Sequence, residues 1–340
     1  MNTQELLEKL CAAQGVSGME DGAARIAAGM LSRYAQVRRD ALGNVIGSIP
    51  GTGRHILLDA HIDQIGLIVT DIDESGFLRV DHCGGIDPRV LGGQNVIVWG
   101  REPLKGTVCS TPPHLLRDGD GKQAAGFEDI GIDIGLTREE ASRLVTRGDR
   151  ITFDVPPAKL LGKRFSAPAI DDRAGVAAIL LALDKCSKHL KNPVTVVFSV
   201  QEEVGTRGAA TAAYASGAEE AIAVDVSFAM SPGCPERKCA KLGSGAMIGV
   251  APTLSASLSD ELTALAERKS IPHTLEIMGG ETGTDADVID VTRGGIRMGL
   301  LSIPQRYMHT PVEVVDLRDI ESTAELIAAY LTELGGNDHA

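Results

Sequence analysis

Residues 193–205 read PVTVVFSVQEEVG, a continuous apolar run that ends in two adjacent glutamates and a glycine. The run predicts a strand over 193–200 that is buried on both faces, as the central strands of parallel sheets are. On an ideal strand, the side chains of Glu202 and Glu203 would point to opposite faces. The pair must therefore lie where the backbone turns, and Gly205 allows that turn. The stretch predicts a buried strand that delivers two carboxylates to one edge of a sheet.

The same pattern of an apolar strand followed by polar residues recurs four times. It occurs in ILLDAHID (56–63), SAPAIDD (166–172), AIAVDV (221–226) and GLLSIPQRYMH (299–309). In open α/β sheets, ligands bind outside the carboxyl ends of the strands, so we expect these polar side chains to converge on one cleft. The residues concerned are His61, Asp63, Asp171, Asp172, Asp225 and His309.

The residue types in this set suit divalent metal ions. Carboxylate and imidazole ligands fit zinc, cobalt or manganese, and the set contains no cysteine. Two imidazoles and three or more carboxylates exceed what one catalytic metal uses, whereas two ions about 3.5–4 Å apart that share a bridging carboxylate would use them all. One of two adjacent glutamates can bind a metal while the other takes a proton from water. Asp63, two residues beyond His61, is placed to orient that imidazole.

Each motif by itself has a plainer explanation. A His-x-Asp pair is commonly a surface or capping pair, and adjacent glutamates commonly form a solvated face. Asp171-Asp172-Arg173 alone is more often a helix N-cap with a salt bridge in the first turn, and Asp172 can do that structural job even beside a metal. The strand ends taken together, in this order, favour a shared site over coincidence.

The composition of the 340-residue chain is that of a globular protein, with 43 % apolar residues and 3 % aromatic residues. A net charge of −13 disfavours nucleic acid or an anionic membrane surface as a partner. The N-terminus lacks the pattern of a secretory signal, and no apolar run approaches the ~20 residues of a membrane span. The six cysteines match neither a zinc knuckle nor a disulfide framework, so we expect reduced thiols in a cytoplasmic protein.

Alternating helix and strand patterns are interrupted by a long stretch of short β-like runs. Residues 67–162 hold runs such as GLIVTDID, NVIVWG and RITFDV, with one helical pattern near 137–147. We therefore predict an α/β fold in which residues 1–66 and 163–340 form a mixed sheet flanked by helices, with a small β-barrel-like domain inserted at 67–162. Other helices are predicted over 4–13, 20–34, 173–190, 207–216, 259–270, 284–293 and 317–334, and other strands over 40–50 (a pair), 56–60, 221–226, 273–278 and 297–303.

Six segments together resemble the signature segments of one family. DAHIDQIG, AIDDRAG, QEEVGTRGA, VDVS, GTDAD and RYMHTPVE are similar to those of the TET-type dinuclear metallo-aminopeptidases, the tetrahedral glutamyl, leucyl and lysyl aminopeptidases, some of which are named endoglucanase-like. The resemblance covers nearly the whole chain and implies a zinc-peptidase-like three-layer sandwich. It also implies a metal site in which His61 and Asp225 bind one ion, Glu203 and His309 bind the other, and Asp171 bridges them.

The resemblance implies the remaining roles as well. Glu202 would act as general base and acid, Asp63 would support the ligands, and the peptide bond after Asp171 would be cis. The enzyme would hydrolyse N-terminal residues from peptides with two divalent ions per subunit, zinc or cobalt, with manganese as a further choice. In this family the early inserted β domain mediates dimerisation and assembly into a hollow dodecamer, so a homo-oligomer is implied.

Related dinuclear carboxypeptidases and deacylases resemble the chain less. In those enzymes the extra domain is inserted late, between the fourth metal ligand and the last histidine. In this chain the longest separation between candidate ligands lies early, between His61 and Asp171. The chain also departs from the TET pattern, with Gln64 where the family more often has Glu and Arg297 where it often has Pro. For Arg297, an exposed structural role is favoured over recognition of an acidic substrate.

Two other functions stay open at this point. Paired carboxylates also serve glycosidases, although that chemistry would leave His61 and His309 unused. A non-catalytic assembly protein that keeps the fold is the other alternative, and the intact set of ligand residues argues against it.

Overall fold

The computed structural model describes residues 2–111 and 126–333. Residues 112–125 of the predicted insertion and residue 334 of the predicted last helix lie outside these ranges. Within them, no helix is both long enough and apolar enough to cross a membrane.

Among the described residues, the larger of two sheets contains eleven strands. They are β1 (Gln36–Arg39), β2 (Val45–Ile49), β3 (Ile56–His61), β10 (Ala158–Lys159), β11 (Arg164–Ala167), β12 (Val194–Ser199), β13 (Glu220–Phe228), β14 (Ala246–Val250), β15 (His273–Ile277), β16 (Arg297–Arg306) and β17 (Glu313–Asp316). The order is β1-β2-β12-β3-β13-β16-β17-β11-β10, with β14 and β15 attached beside β16. The four strands β12, β3, β13 and β16 pair in parallel, and β2 and β17 join them antiparallel.

Helices cover both faces of this sheet. They are α1 (Thr3–Cys11), α2 (Asp21–Leu31), α4 (Ile170–Cys186), α5 (Arg207–Ser216), α6 (Ala256–Lys269), α7 (Ala286–Ile289) and α8 (Leu317–Glu333). Successive residues of β12 pack into different apolar cores on the two faces of the sheet. Val196 packs into the core under α4, and Val197 packs with Ala209 and Ala212 of α5. Apolar residues on both faces explain why the central strands read as continuous apolar runs. The predicted α/β fold with a mixed sheet between helices is confirmed.

The second sheet is a closed barrel. Its strands are β4 (Gly66–Ile72), β5 (Leu78–Cys83), β6 (Asn95–Trp99), β7 (Pro103–Ser110), β8 (Ile130–Asp133) and β9 (Arg150–Phe153), in the order β4-β5-β8-β7-β6-β9, with helix α3 (Arg138–Leu144) beside them. Leu67, Val98 and Ile132 belong to its separate apolar core. The β-barrel character of the insertion is confirmed, whereas the boundaries 1–66, 67–162 and 163–340 stay a prediction.

Several elements differ from the sequence prediction in extent. The strand pair predicted over 40–50 begins earlier, because β1 is a polar edge strand of sequence QVRR whose composition does not resemble that of a core strand. The helix predicted over 284–293 spans only Ala286–Ile289. Strands β8, β10, β11, β14 and β17 lie where no strand is predicted. Each has at most five residues, and runs this short seldom show a clear period.

Candidate metal centre

The carboxyl ends of the parallel strands bring the predicted site residues to one edge of the sheet. β3 ends at His61, and Asp225 lies near the end of β13. Glu202 and Glu203 follow β12, and His309 follows β16. Because the four strands run in the same direction, these side chains share one cleft.

Asp171 lies between the two histidines. Its Oδ1 is 3.0 Å from His61 Nε2, and its Oδ2 is 3.4 Å from His309 Nε2. It stands at the start of α4, where the bond between Asp171 and Asp172 is cis and neither residue has helical dihedral angles. The two oxygens of a single carboxylate therefore face two different imidazoles.

The other two predicted ligands lie on either side of Asp171. Asp225 Oδ1 is 4.0 Å from His61 Nε2, and Glu203 Oε2 is 3.3 Å from His309 Nε2. His61, Asp171 and Glu203 each offer a ligand atom within 4.8 Å of the others. The structure thus brings together all five side chains that the sequence singled out as metal ligands.

Glu202 shares the cleft without facing His309. Its Oε2 lies 4.0 Å from His61 Nε2, and its side chain is 12 % exposed. The turn expected after β12 is present and begins one residue before the glutamates, since Gln201 has a φ of 59° and Gly205 a φ of 118°. This backbone path lets adjacent glutamates enter the same cleft from the end of one strand.

Asp63 fixes the backbone of both glutamates. Its Oδ1 accepts a hydrogen bond from the backbone N–H of Glu202 at 3.0 Å, and its Oδ2 accepts bonds from Glu203 N–H at 3.3 Å and Ser17 Oγ at 2.6 Å. Its Oδ1 also lies 3.5 Å from His61 Nδ1. Asp63 therefore positions the site instead of facing the cavity.

Glu313 has a similar role that sequence reasoning missed. Its buried carboxylate accepts hydrogen bonds from the backbone N–H groups of Asp171 and His309, both at 3.1 Å. The available signal was a glutamate at the start of the short strand β17 (EVVD), four residues after His309. An acidic residue in such a strand must find donors in the interior.

The barrel region also reaches the centre. His309 Nδ1 lies 2.9 Å from the backbone carbonyl of Gly85, in the segment between β5 and β6. A Cβ atom at Gly85 would come within 2.8 Å of the same nitrogen. A glycine therefore permits the close approach that orients the His309 ring, with Nε2 directed at Asp171 and Glu203.

Burial and mutual repulsion raise the pKa of the clustered carboxyls. Burial raises the pKa of Glu202 to about 7, and nearby acids add to this effect. Burial raises the pKa of Glu203 and of Asp225 well above the ordinary range, and the negative charge of Asp171 adds to this rise. Burial opposes the protonation of His61, yet hydrogen bonds to Asp171 and Asp63 raise its pKa well above normal. The cluster holds more acidic groups than its imidazoles can balance.

The residues present fit divalent cations. Glu203 Oε1 is buried and has no hydrogen-bond partner among the described residues. An orphaned buried carboxylate oxygen is costly, and a cation would remove that cost. Carboxylates and imidazoles together suit zinc, cobalt or manganese. The centre opens onto a cavity of about 1160 Å³ whose walls include parts of β13 and β15.

The two departures from the expected motif have structural explanations. Gln64 is buried, and its Oε1 lies 3.5 Å from Nη2 of the buried Arg173. Arg297 forms ion pairs with buried Glu220 and with Glu261, so its role is structural, although it is partly buried where exposure was expected. Arg297 also begins β16, at the opposite end of that strand from the metal centre.

Comparison with known proteins agrees with this geometry. The family model described as M42 glutamyl aminopeptidase matches residues 43–326. The lysyl aminopeptidase of Pyrococcus furiosus is 36 % identical over 336 residues, which cover 97 % of each chain.

Solved structures show the same fold at similar identity. An aminopeptidase of the archaeon Desulfurococcus kamchatkensis matches with a TM-score of 0.92 and 34 % identity, over 97 % of this chain and 94 % of that one. The TET1 peptidase of Pyrococcus horikoshii, which can assemble into a tetrahedron or a large octahedral shell, matches with a TM-score of 0.88 and 34 % identity, over 98 % and 100 % of the two chains. The chain therefore belongs to the M42 glutamyl aminopeptidase family and is an aminopeptidase, a hydrolase that uses divalent metal ions.

Proposed function

We propose that the enzyme holds two divalent ions per subunit, zinc or cobalt, with manganese as a further candidate. His61 and Asp225 would hold one ion, Glu203 and His309 would hold the other, and Asp171 would contribute one carboxylate oxygen to each. The observation that carries this proposal is that Asp171 Oδ1 faces His61 while Asp171 Oδ2 faces His309. A single ion would leave one side of that carboxylate, with its imidazole, unused.

Bound ions at this centre would lower the pKa of water and polarise the scissile carbonyl. Glu202 accepts the proton of the attacking water and passes it to the leaving amine. Its carboxyl lies in the same cleft as His61, with Glu202 Oε2 4.0 Å from His61 Nε2. Asp63 contributes by holding the backbone of Glu202 and Glu203.

The substrate that fits this centre is a peptide with a free N-terminus. The unprotonated α-amino group of a peptide would bind at the metal centre, and the cavity beside Asp225 has room for the first side chain. The enzyme then removes residues one at a time from the N-terminus.

The two alternative functions explain less of the structure. A carboxylate-based glycosidase needs neither His61 nor His309, yet both rings are directed at Asp171. A non-catalytic assembly protein gives no reason for Asp63 and Glu313 to hold the backbone of the ligand residues.

We also infer that the chain forms a homo-oligomer built from dimers, up to a tetrahedral dodecamer, with the insertion at 67–162 as the dimer contact. The shell formed by the Pyrococcus horikoshii relative supports this inference. Near the end of the insertion, Leu160 is 41 % exposed and Leu161 is 94 % exposed, which suits a surface that a second copy covers. All six cysteines are free thiols, as suits a cytoplasmic enzyme.

The Glu202→Gln variant should bind metal normally but lose turnover, because an amide cannot accept the water proton. We expect kcat to fall at least about 100-fold, the usual contribution of a general base. Activity is measured with an aminoacyl coumarin series and metal content by mass spectrometry. Glu267→Gln, an exposed change on α6, is the matched control. Near-normal activity of Glu202→Gln would refute the role of this residue.

Chelation should abolish activity and lower the melting temperature, because a ligand that binds only the folded state stabilises it by about 2.7 kcal/mol at 100 times its Kd. Zinc or cobalt should restore both properties. Chelator already saturated with zinc is the control, and Asp171→Asn should not be rescued. Full aminopeptidase activity in metal-free protein would contradict the proposal.

Light scattering coupled to size exclusion should give a mass that is a multiple of the 35.7 kDa chain. Leu161→Asp should shift the mass distribution towards smaller species, since a charge would have to be buried at the contact. Asp81→Asn, an exposed change elsewhere in the insertion, is the control. A monomer at micromolar concentration would overturn the inferred assembly.

A further inference from the structure

Glu276 is a carboxylate that the proposed mechanism does not use. It lies on β15, partly buried, and lines the same cavity as Asp171 and Asp225. Ser302 Oγ donates a hydrogen bond to its Oε2 at 2.6 Å, and Ser227 Oγ donates to its Oε1. Both serines are buried, so the carboxylate is held by donors on the sheet instead of moving freely in solvent.

The strand register places the two serines that hold Glu276 beside Asp225. Ser302 on β16 pairs directly with Asp225 on β13, and Ser227 follows Asp225 by two residues. Residues two apart on a strand share a face and are about 6.5 Å apart. Ser227 and Ser302, which hold Glu276, therefore lie next to Asp225 on the same face of the sheet. They stand between the Glu276 carboxylate and the metal centre, where the scissile bond is proposed to lie.

The charge of Glu276 has no internal counterpart. Within the described residues, no basic side chain forms an ion pair with it, and the groups that act on its pKa besides burial are the two serines. Burial raises the pKa of Glu276, and the hydrogen bonds from Ser227 and Ser302 oppose that rise. A carboxylate has about four lone-pair sites, so two hydroxyl donors leave capacity for a further donor.

Part of the wall of this cavity is apolar. It includes Met247, Met278 and Leu300. Such a wall suits the methylene stem of a long side chain whose charged end reaches a carboxylate. Exposed basic residues of the segment 236–241 also border the cavity, but they stand in solvent, where salt screens their charge.

We propose that Glu276 selects peptides whose N-terminal residue has a cationic side chain, lysine or arginine. The ammonium or guanidinium group binds the free lone pairs of Glu276 while the α-amino group and the scissile carbonyl stay at the metal centre. This inference rests on the proposed aminopeptidase function. A competing role, in which Glu276 binds the α-ammonium group of every substrate, makes a different prediction for substrate ratios.

The test compares kcat/KM for lysyl, arginyl, leucyl and glutamyl aminomethylcoumarin with metal-loaded enzyme. The wild type should prefer the lysyl and arginyl substrates. Glu276→Gln should lower the lysyl-to-leucyl ratio about 10- to 100-fold, the range of one charge-assisted hydrogen bond, with leucyl turnover nearly unchanged. Glu281 is exposed at the wall of the same cavity, and the control variant Glu281→Gln should leave the lysyl-to-leucyl ratio unaltered.

The possible results distinguish a failure of the proposed aminopeptidase function from a failure of the proposed role of Glu276. If the wild type turns over none of the substrates, the proposed function fails; if it is active but prefers leucyl or glutamyl substrates, only the role of Glu276 fails. An equal fall for all substrates in Glu276→Gln would also overturn the inference, because it indicates α-ammonium binding. If the Glu276→Gln variant does not fold, Glu276→Asp is tested in its place, and it should keep a preference for lysyl over leucyl substrates.

Discussion

Two buried carboxylates, Asp63 and Glu313, hold the backbone on which the metal centre depends. Between them they accept hydrogen bonds from the backbone N–H groups of four site residues: Asp171, Glu202, Glu203 and His309. Each of these residues lies outside regular strand structure, where the sheet alone would not fix its position. The parallel strands bring the segments to one edge, and these bonds set the direction in which the side chains point.

The arrangement gathers more negative charge than a folded chain tolerates without compensation. Carboxylates removed from water need partners, and His61 and His309 are too few for the acids around them. Divalent cations supply the missing positive charge, which couples metal binding to the stability of the fold. The contact of Gly85 with His309 extends this coupling to the barrel region, because the orientation of one proposed ligand ring depends on a carbonyl outside the large sheet.

The sequence predicted which side chains converge on the cleft because their signal is local. An apolar run followed by His or Asp at its end identifies a strand and its functional edge together, as for His61 and Asp225. Glu313 and Gly85 were missed because their roles arise from contacts between segments far apart in the chain. The extended segment that contains Glu276 was predicted, but its place in the cavity depends on how β15 attaches through β14 to β16. Pairings of this kind depend on the tertiary fold and leave no local pattern.

The most direct test is anomalous diffraction from crystals of the metal-loaded enzyme, collected on both sides of the absorption edge of zinc or cobalt. The proposed bridging role of Asp171 predicts two peaks in each subunit, one beside His61 and Asp225 and the other beside Glu203 and His309. Each peak should lie next to a different oxygen of Asp171. A single fully occupied peak at saturating metal, or two peaks with Asp171 bound to only one of them, would contradict the proposed dinuclear centre.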